Sequence, residues 1–322
     1  MRNSLESEMA TKQHYVQSCY LAGFVDPSSK EKEDPYLWAV DFEQKTVRKR
    51  APKNVARIPG YYDIRDTQSL PQYQGRNVDK GFVDREVVSE IENGANAVIR
   101  KLREPKFQVT LEDRYHLAHY LGLQFARVPI FREASRAAET KRAQDWLRLI
   151  VQDKARVQRK LDEYPIKADG RQSALTPESI RDAVLGGKIR IAPPDNFDDY
   201  LLGLAMKATL DVSEAIFTRS WTFLHATGPE TFFTSDNPVV LLTPDGKPSA
   251  NLDERVEISF PISPSCMLSI HMESGARNRG IAVDTATVYE INKRMLPTAK
   301  RYVFCSTKKQ GEWALSQRLG SS

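Results

Sequence analysis

An α+β fold, with a helical middle packed on an antiparallel sheet, follows from three features of the chain. Between about 84 and 218, apolar residues recur at three- and four-residue steps, the period of helices that bury one stripe. From Trp221 onward the period falls to two, in short β-branched or aromatic runs punctuated by Gly, Pro and Asp. A lone strand pair at 36–51 has no strand neighbours in its own half of the chain. It is therefore expected to join the carboxy-terminal sheet and close the two ends around the helices.

The 322 residues, 40% hydrophobic and 28% charged, suffice for one large core. The expected organisation is a flexible leader at 1–11, a single domain at 12–308 and a tail at 309–322. No apolar run approaches the roughly 18 residues that cross a bilayer, and the first residues lack the apolar stretch of a secretory signal. A cytoplasmic protein with no membrane partner is expected. Cys19, Cys266 and Cys305 are too scattered for a disulfide framework and read as small buried thiols. The net charge of +5 leans toward an anionic partner, nucleic acid or nucleotide, although Lys and Arg are spread along the chain. Oligomeric state is left open.

In order along the chain, 13–24 has near-helical apolar spacing and ends at Asp26-Pro27. The runs at 36–42 and 46–51 form a hairpin, whose basic Arg48, Lys49 and Arg50, with Lys53 beyond, suit either phosphate or the protection of a sheet edge. An irregular connection spans 59–81. A helix from Asp84 to about 104 carries Val87, Ile91, Ala95, Val98 and Leu102 on one stripe and stops at Pro105. The central helix starts at Thr110, with Asp113 three residues on in a capping arrangement, and its apolar face reads Leu111, Tyr115, Ala118, Leu121 and Phe125. Pro129 should kink or break it. A long charged helix follows to about 164, with Trp146, Leu149 or Ile150, Val157 and Leu161 inward, then a linker at 166–174. Thr176-Pro177 opens a helix that closes at Gly186-Gly187, and Asp195 or Asn196 opens another through Phe217. Strands are expected in the runs starting at 221, 230, 238, 256, 266 and 301, with a helix at 285–296 between the last two.

Lys12-Gln13-His14-Tyr15-Val16, then Gln124 to Arg127 with Pro129, then Ser235-Asp236-Asn237-Pro238 together resemble a bacterial family catalogued as a domain of unknown function. Its members open with a Gln-His-Tyr-Val signature, carry glutamine and arginine before a mid-chain proline, and reach a Ser-Asp-Asn-Pro turn ahead of a strand. The resemblance spans about 12–306. Gln17 departs from it, since the family usually has proline there. The resemblance implies a single domain and supplies no reaction.

His14, in a locally polar cluster, is the candidate general acid or base, and Asp236 its partner in catalysis. Arg127 and Gln124, one turn apart on a buried helix, need something anionic nearby: a substrate carboxylate or phosphate, or Asp236 itself. Tyr15, Gln13, Ser235 and Asn237 complete the expected substrate-binding set, although Ser235-Asp236-Asn237-Pro238 is also good turn chemistry. His116 and His119 have metal-ligand spacing on a helix but no accompanying carboxylate or thiol, so no metal is expected. His225 and His271 read as ordinary sheet residues. Glycine-rich phosphate loops, nucleotide fingerprints and nucleophile elbows are missing from the sequence, and no cofactor is expected. Two readings follow. One is a hydrolase acting on a phosphate-containing substrate, nucleic acid or nucleotide. The other is a non-catalytic binding or regulatory domain whose polar cluster holds the fold.

Overall fold

The computed structural model describes residues 12–65, 79–104, 106–164, 175–249, 252–253, 255–272 and 277–320. The expected leader, Pro105 and the linker at 166–174 lie outside them. Strand β1 (Lys12–His14) is followed by the short helix α1 (Ser18–Leu21), then by the hairpin β2 (Leu37–Asp41) and β3 (Thr46–Arg50), and by β4 (Arg57–Pro59). The middle is helical: α2 (Ser89–Lys101), α3 (Leu111–Ala126), α4 (Pro129–Ile150), α5 (Lys154–Glu163), α6 (Pro177–Leu185) and α7 (Phe197–Thr218). Strands β5 (Ser220–Ala226), β6 (Thr234–Ser235), β7 (Val240–Leu242), β8 (Glu257–Ser263), β9 (Cys266–His271) and β10 (Asn278–Val283) follow, then helix α8 (Thr285–Met295), strand β11 (Tyr302–Cys305) and helix α9 (Lys308–Gly320). The architecture is α+β.

The hairpin does join carboxy-terminal strands, in a sheet of order β3-β2-β11-β6. The remaining strands form a second sheet, β10-β5-β9-β8-β7, and β1 pairs with β4 alone. The expected single antiparallel sheet is thus divided, and one of its pairs, β10 with β5, is parallel. The segment expected as a tail is α9, which packs against β2 and β11.

The axis of the helical layer is α3 against α7. Gly122 makes this possible, because a Cβ there would sit 2.4 Å from the Thr209 carbonyl oxygen. Thr110 caps α3 reciprocally with Asp113, as expected from the sequence. Its apolar face begins later than periodicity suggests: Leu111 is 73% exposed, while Leu117, Ala118, Tyr120, Leu121 and Leu123 are buried. Pro129 does not kink one long helix. Val128 is extended, with ψ 151°, so α3 ends and Pro129 takes the first position of α4. No described residue of α4 is buried, and Trp146, expected inward, is 60% exposed. A turn at 151–153 separates α5, whose Val157 joins Val151 and Val184 in a small satellite core. Cys19, expected in the core, is exposed.

Candidate functional site

Arg127 occupies the gap between α3 and α4 and is 2% exposed. Its Nη1 donates to Glu92 Oε1 at 2.6 Å, and its Nε and Nη2 donate to Gln124 Oε1 at 3.1 and 2.5 Å. Gln124 Nε2 in turn donates to the Tyr15 carbonyl at 2.9 Å. The Tyr120 ring lies 5.9 Å from the guanidinium carbon. Burial opposes the charge, but Tyr62 and Glu92 outweigh it and hold the arginine above its ordinary pKa. The anionic partner demanded by this buried cation is Glu92 of α2, and not Asp236 as the sequence suggested.

Gln13 and His14 belong to the same side. Gln13 Oε1 accepts the Tyr62 N–H at 2.7 Å and its Nε2 faces Asp63 at 3.4 Å. Asp84, beside Gln13, has its carboxyl raised by burial and then by the charge of Glu92. The His14 carbonyl accepts the Tyr62 hydroxyl at 3.0 Å. Its imidazole is lowered, first by burial, despite a hydrogen bond to the Lys53 backbone. His14 Nε2 is buried and has no partner.

Asp236 sits elsewhere. It follows β6 and accepts three consecutive amides, from Lys300, Arg301 and Tyr302, at 2.9, 2.7 and 3.0 Å. Burial pushes its carboxyl up while these amides and Lys300 pull the other way. Ser235 Oγ donates to the Asn237 carbonyl at 2.9 Å and accepts its N–H at 3.0 Å, and Asn237 Nδ2 donates to Thr298 O at 3.2 Å. This turn fastens β6 to the entry of β11.

Tyr15 connects the two groups. Its backbone is held by Gln124, and its side chain lines a cleft of about 670 Å³ together with Asp236. Burial and then the Asp236 charge keep its phenol protonated, with a pKa well above ordinary. The cleft runs between β1, β3, β4 and the entries of α4 and β11. Its acids Asp41 and Glu43 are each 2.9 Å from Arg301, and Glu133 pairs with Lys300. Its other cations behave differently. Lys12, Arg48, Arg50 and Arg57 all line it, and none has an ion pair or side-chain hydrogen bond among the described residues.

Strand alternation explains which charges reach the cleft. Thr46, Arg48 and Arg50 share the inner face of β3, whereas Lys49 points the other way, 4.4 Å from the Tyr36 ring centre and 5.3 Å from that of Trp38. Lys53 is spent on Asp34 at 2.8 Å. Arg57 stands opposite His14 in the β1–β4 register. Its position follows a left-handed turn at Ala56, with φ 51°, whose carbonyl accepts the Tyr15 N–H at 2.9 Å.

The sequence-derived set therefore separates. Gln13, Gln124 and Arg127 gather with Glu92, with His14 alongside, while Ser235, Asp236 and Asn237 anchor the far wall and Tyr15 lies between. Sequence reasoning missed Glu92, Lys12 and Arg57 as site residues. Only Arg48 and Arg50 carried a visible signal, in the basic run of the hairpin. Among the described residues no group of three or more His, Cys, Asp or Glu is arranged to hold a metal ion, and no helix is long and apolar enough to cross a membrane.

A family model described as Protein of unknown function (DUF4238) matches residues 12–309, a span that includes the buried arginine network and every residue of the cleft. No curated protein and no solved structure matches the chain. The chain belongs to the DUF4238 family of proteins of unknown function.

Proposed function

We propose that this protein binds a phosphate-bearing ligand, a nucleotide or a nucleic-acid strand, in the cleft, with Lys12, Arg48, Arg50 and Arg57 as its phosphate contacts. One observation carries the reading: four cations from three strands converge on one hollow without partners among the described residues, while Asp41 and Glu43 are paired with Arg301, Glu133 with Lys300, and Asp236 is held by backbone amides. Gathering like charges costs energy that a bound polyanion returns, and guanidinium groups suit phosphate geometry. The Arg127 network is part of the scaffold in this reading, since Glu92 and Gln124 already satisfy the guanidinium. The test is fluorescence anisotropy with labelled single-stranded RNA, single-stranded DNA and a labelled nucleotide at low salt. Saturable binding is expected, weakened roughly tenfold for each of Arg48→Ala and Arg57→Ala. Absence of binding by the wild type, or equal binding by the variants, overturns the proposal.

His14 favours a second reading, hydrolysis of the bound phosphoester. An imidazole lowered by burial is neutral near physiological pH, and its Nε2 has an unused lone pair or proton beside the strand that carries Arg57. In this reading His14 takes a proton from the water whose oxygen bonds to phosphorus and returns it to the leaving oxygen as the P–O ester bond breaks, Arg57 holds the phosphate, and Asp236 positions the 300–302 backbone at the cleft wall. Wild type and His14→Ala incubated with RNA, DNA and nucleotide pools decide it. No His14-dependent product in any pool removes hydrolysis and leaves binding standing.

A further inference from the structure

The five-stranded sheet ends at β10, and no other described strand pairs with that edge. Among the described residues β10 pairs only with β5, and five of its six residues are exposed. The carbonyls of Arg277 and Val283 accept from the N–H groups of Trp221 and Thr227 at 2.8 and 3.0 Å. In a parallel ladder a residue turns its N–H and C=O to the same side, so Asn278, Gly280 and Ala282 aim theirs outward. The other edges of the two larger sheets are guarded. β3 carries basic side chains, and β6 and β7 are buried strands of 2 and 3 residues. β10 is longer, has no proline, and bears one charge within it, Arg279.

Beside this edge lies a hollow of about 790 Å³, walled by Phe107, Phe223 and His225 and floored by Gly280. Phe107 meets Phe223 edge-on at 4.9 Å. A Cβ at position 280 would stand 3.4 Å from the His225 ring, so glycine leaves the hollow open toward the free edge. Lys106, at the rim, and Arg277, just before β10, are both exposed and have no ion pair among the described residues. An unpaired strand edge supplies main-chain hydrogen bonds to an extended peptide and a pocket selects one of its side chains, while flanking cations favour acidic neighbours.

We propose that β10 accepts an extended acidic segment of a partner protein as a sixth strand, with one apolar side chain seated in the hollow against Phe107 and over Gly280 and its carboxylates facing Lys106 and Arg277. This surface is independent of the cation-lined cleft. The probe is a short labelled peptide with a central phenylalanine flanked on both sides by glutamates, compared with the same peptide bearing lysines. The acidic peptide binds at least about tenfold more tightly than the basic one, and Ala282→Pro, which removes an outward N–H, weakens it by about the same factor. The double variant Lys106→Glu, Arg277→Glu reverses the preference, which also decides the matter if Ala282→Pro does not fold. No binding of the acidic peptide, equal binding of both peptides, or an unreversed preference overturns the proposal. So does a concentration-dependent dimer in sedimentation that Ala282→Pro abolishes, because the edge then belongs to a second copy of the chain.

Discussion

Two groups of arginines lie on either side of Tyr15, and they are treated in opposite ways. Arg127 is fully enclosed, and each of its nitrogens donates to Glu92 or Gln124. Arg48, Arg50 and Arg57 share a cleft and donate to nothing among the described residues. A charge taken out of water must be satisfied by the protein itself, so the buried arginine identifies the scaffold. Charges left in a hollow without partners keep their capacity for a ligand. The buried cation was the more conspicuous in the sequence. The unpaired ones are the better guide to function.

The largest effect that sharpens this contrast is expected from Glu92→Ala, which leaves a buried guanidinium without its carboxylate. A loss of about 3–5 kcal/mol in urea unfolding is expected, and Glu92→Gln, which keeps an acceptor, should lose less. Asp236→Ala comes next. Three amides lose their acceptor, at about 1 kcal/mol or more each, and the same unfolding measurement reads the sum. Arg48→Ala and Arg57→Ala should leave the urea midpoint unmoved while weakening ligand binding. A midpoint that moves with either of them erases the distinction.

The smallest effect concerns His14. Its pKa is lower in the fold than the value of about 6.5 expected in the open chain. Below that pH the unfolded chain takes up a proton that the fold refuses. Stability is therefore full above about pH 6.5, falls as pH drops through it, and levels off below the folded value. Asp84 and Asp236 have raised values and act in the opposite sense at lower pH. The comparison of wild type with His14→Asn between about pH 7.5 and about pH 5.5 isolates the imidazole. A wild type that loses no more stability than the variant contradicts its placement.

Local chemistry was legible in the sequence where it depends on neighbours. Thr110 with Asp113 and Thr176 with Pro177 cap the helices they were expected to cap. The hairpin found β11 because an isolated strand pair needs partners. Pro129 was ambiguous because the same residue kinks a helix or begins one, and the backbone at Val128 decides. Trp146 and Leu149 had the right spacing for a buried stripe, but spacing says nothing about whether another element arrives to cover it. β10 escaped notice because Arg279 and Gly280 interrupt any alternation. At the site, Glu92 is 35 residues from Arg127 and on another helix, so the need for an anion was legible and its identity was not.

The most direct test is the slope of log affinity against log salt for the labelled single strand, measured on the wild type and on Arg48→Ala, Arg57→Ala and Glu92→Gln. Each cleft arginine removed should flatten the slope by about one, while Glu92→Gln, provided it stays folded, should leave it unchanged. A slope indifferent to Arg48 and Arg57, or one that responds to Glu92 instead, would contradict the division between scaffold and ligand site.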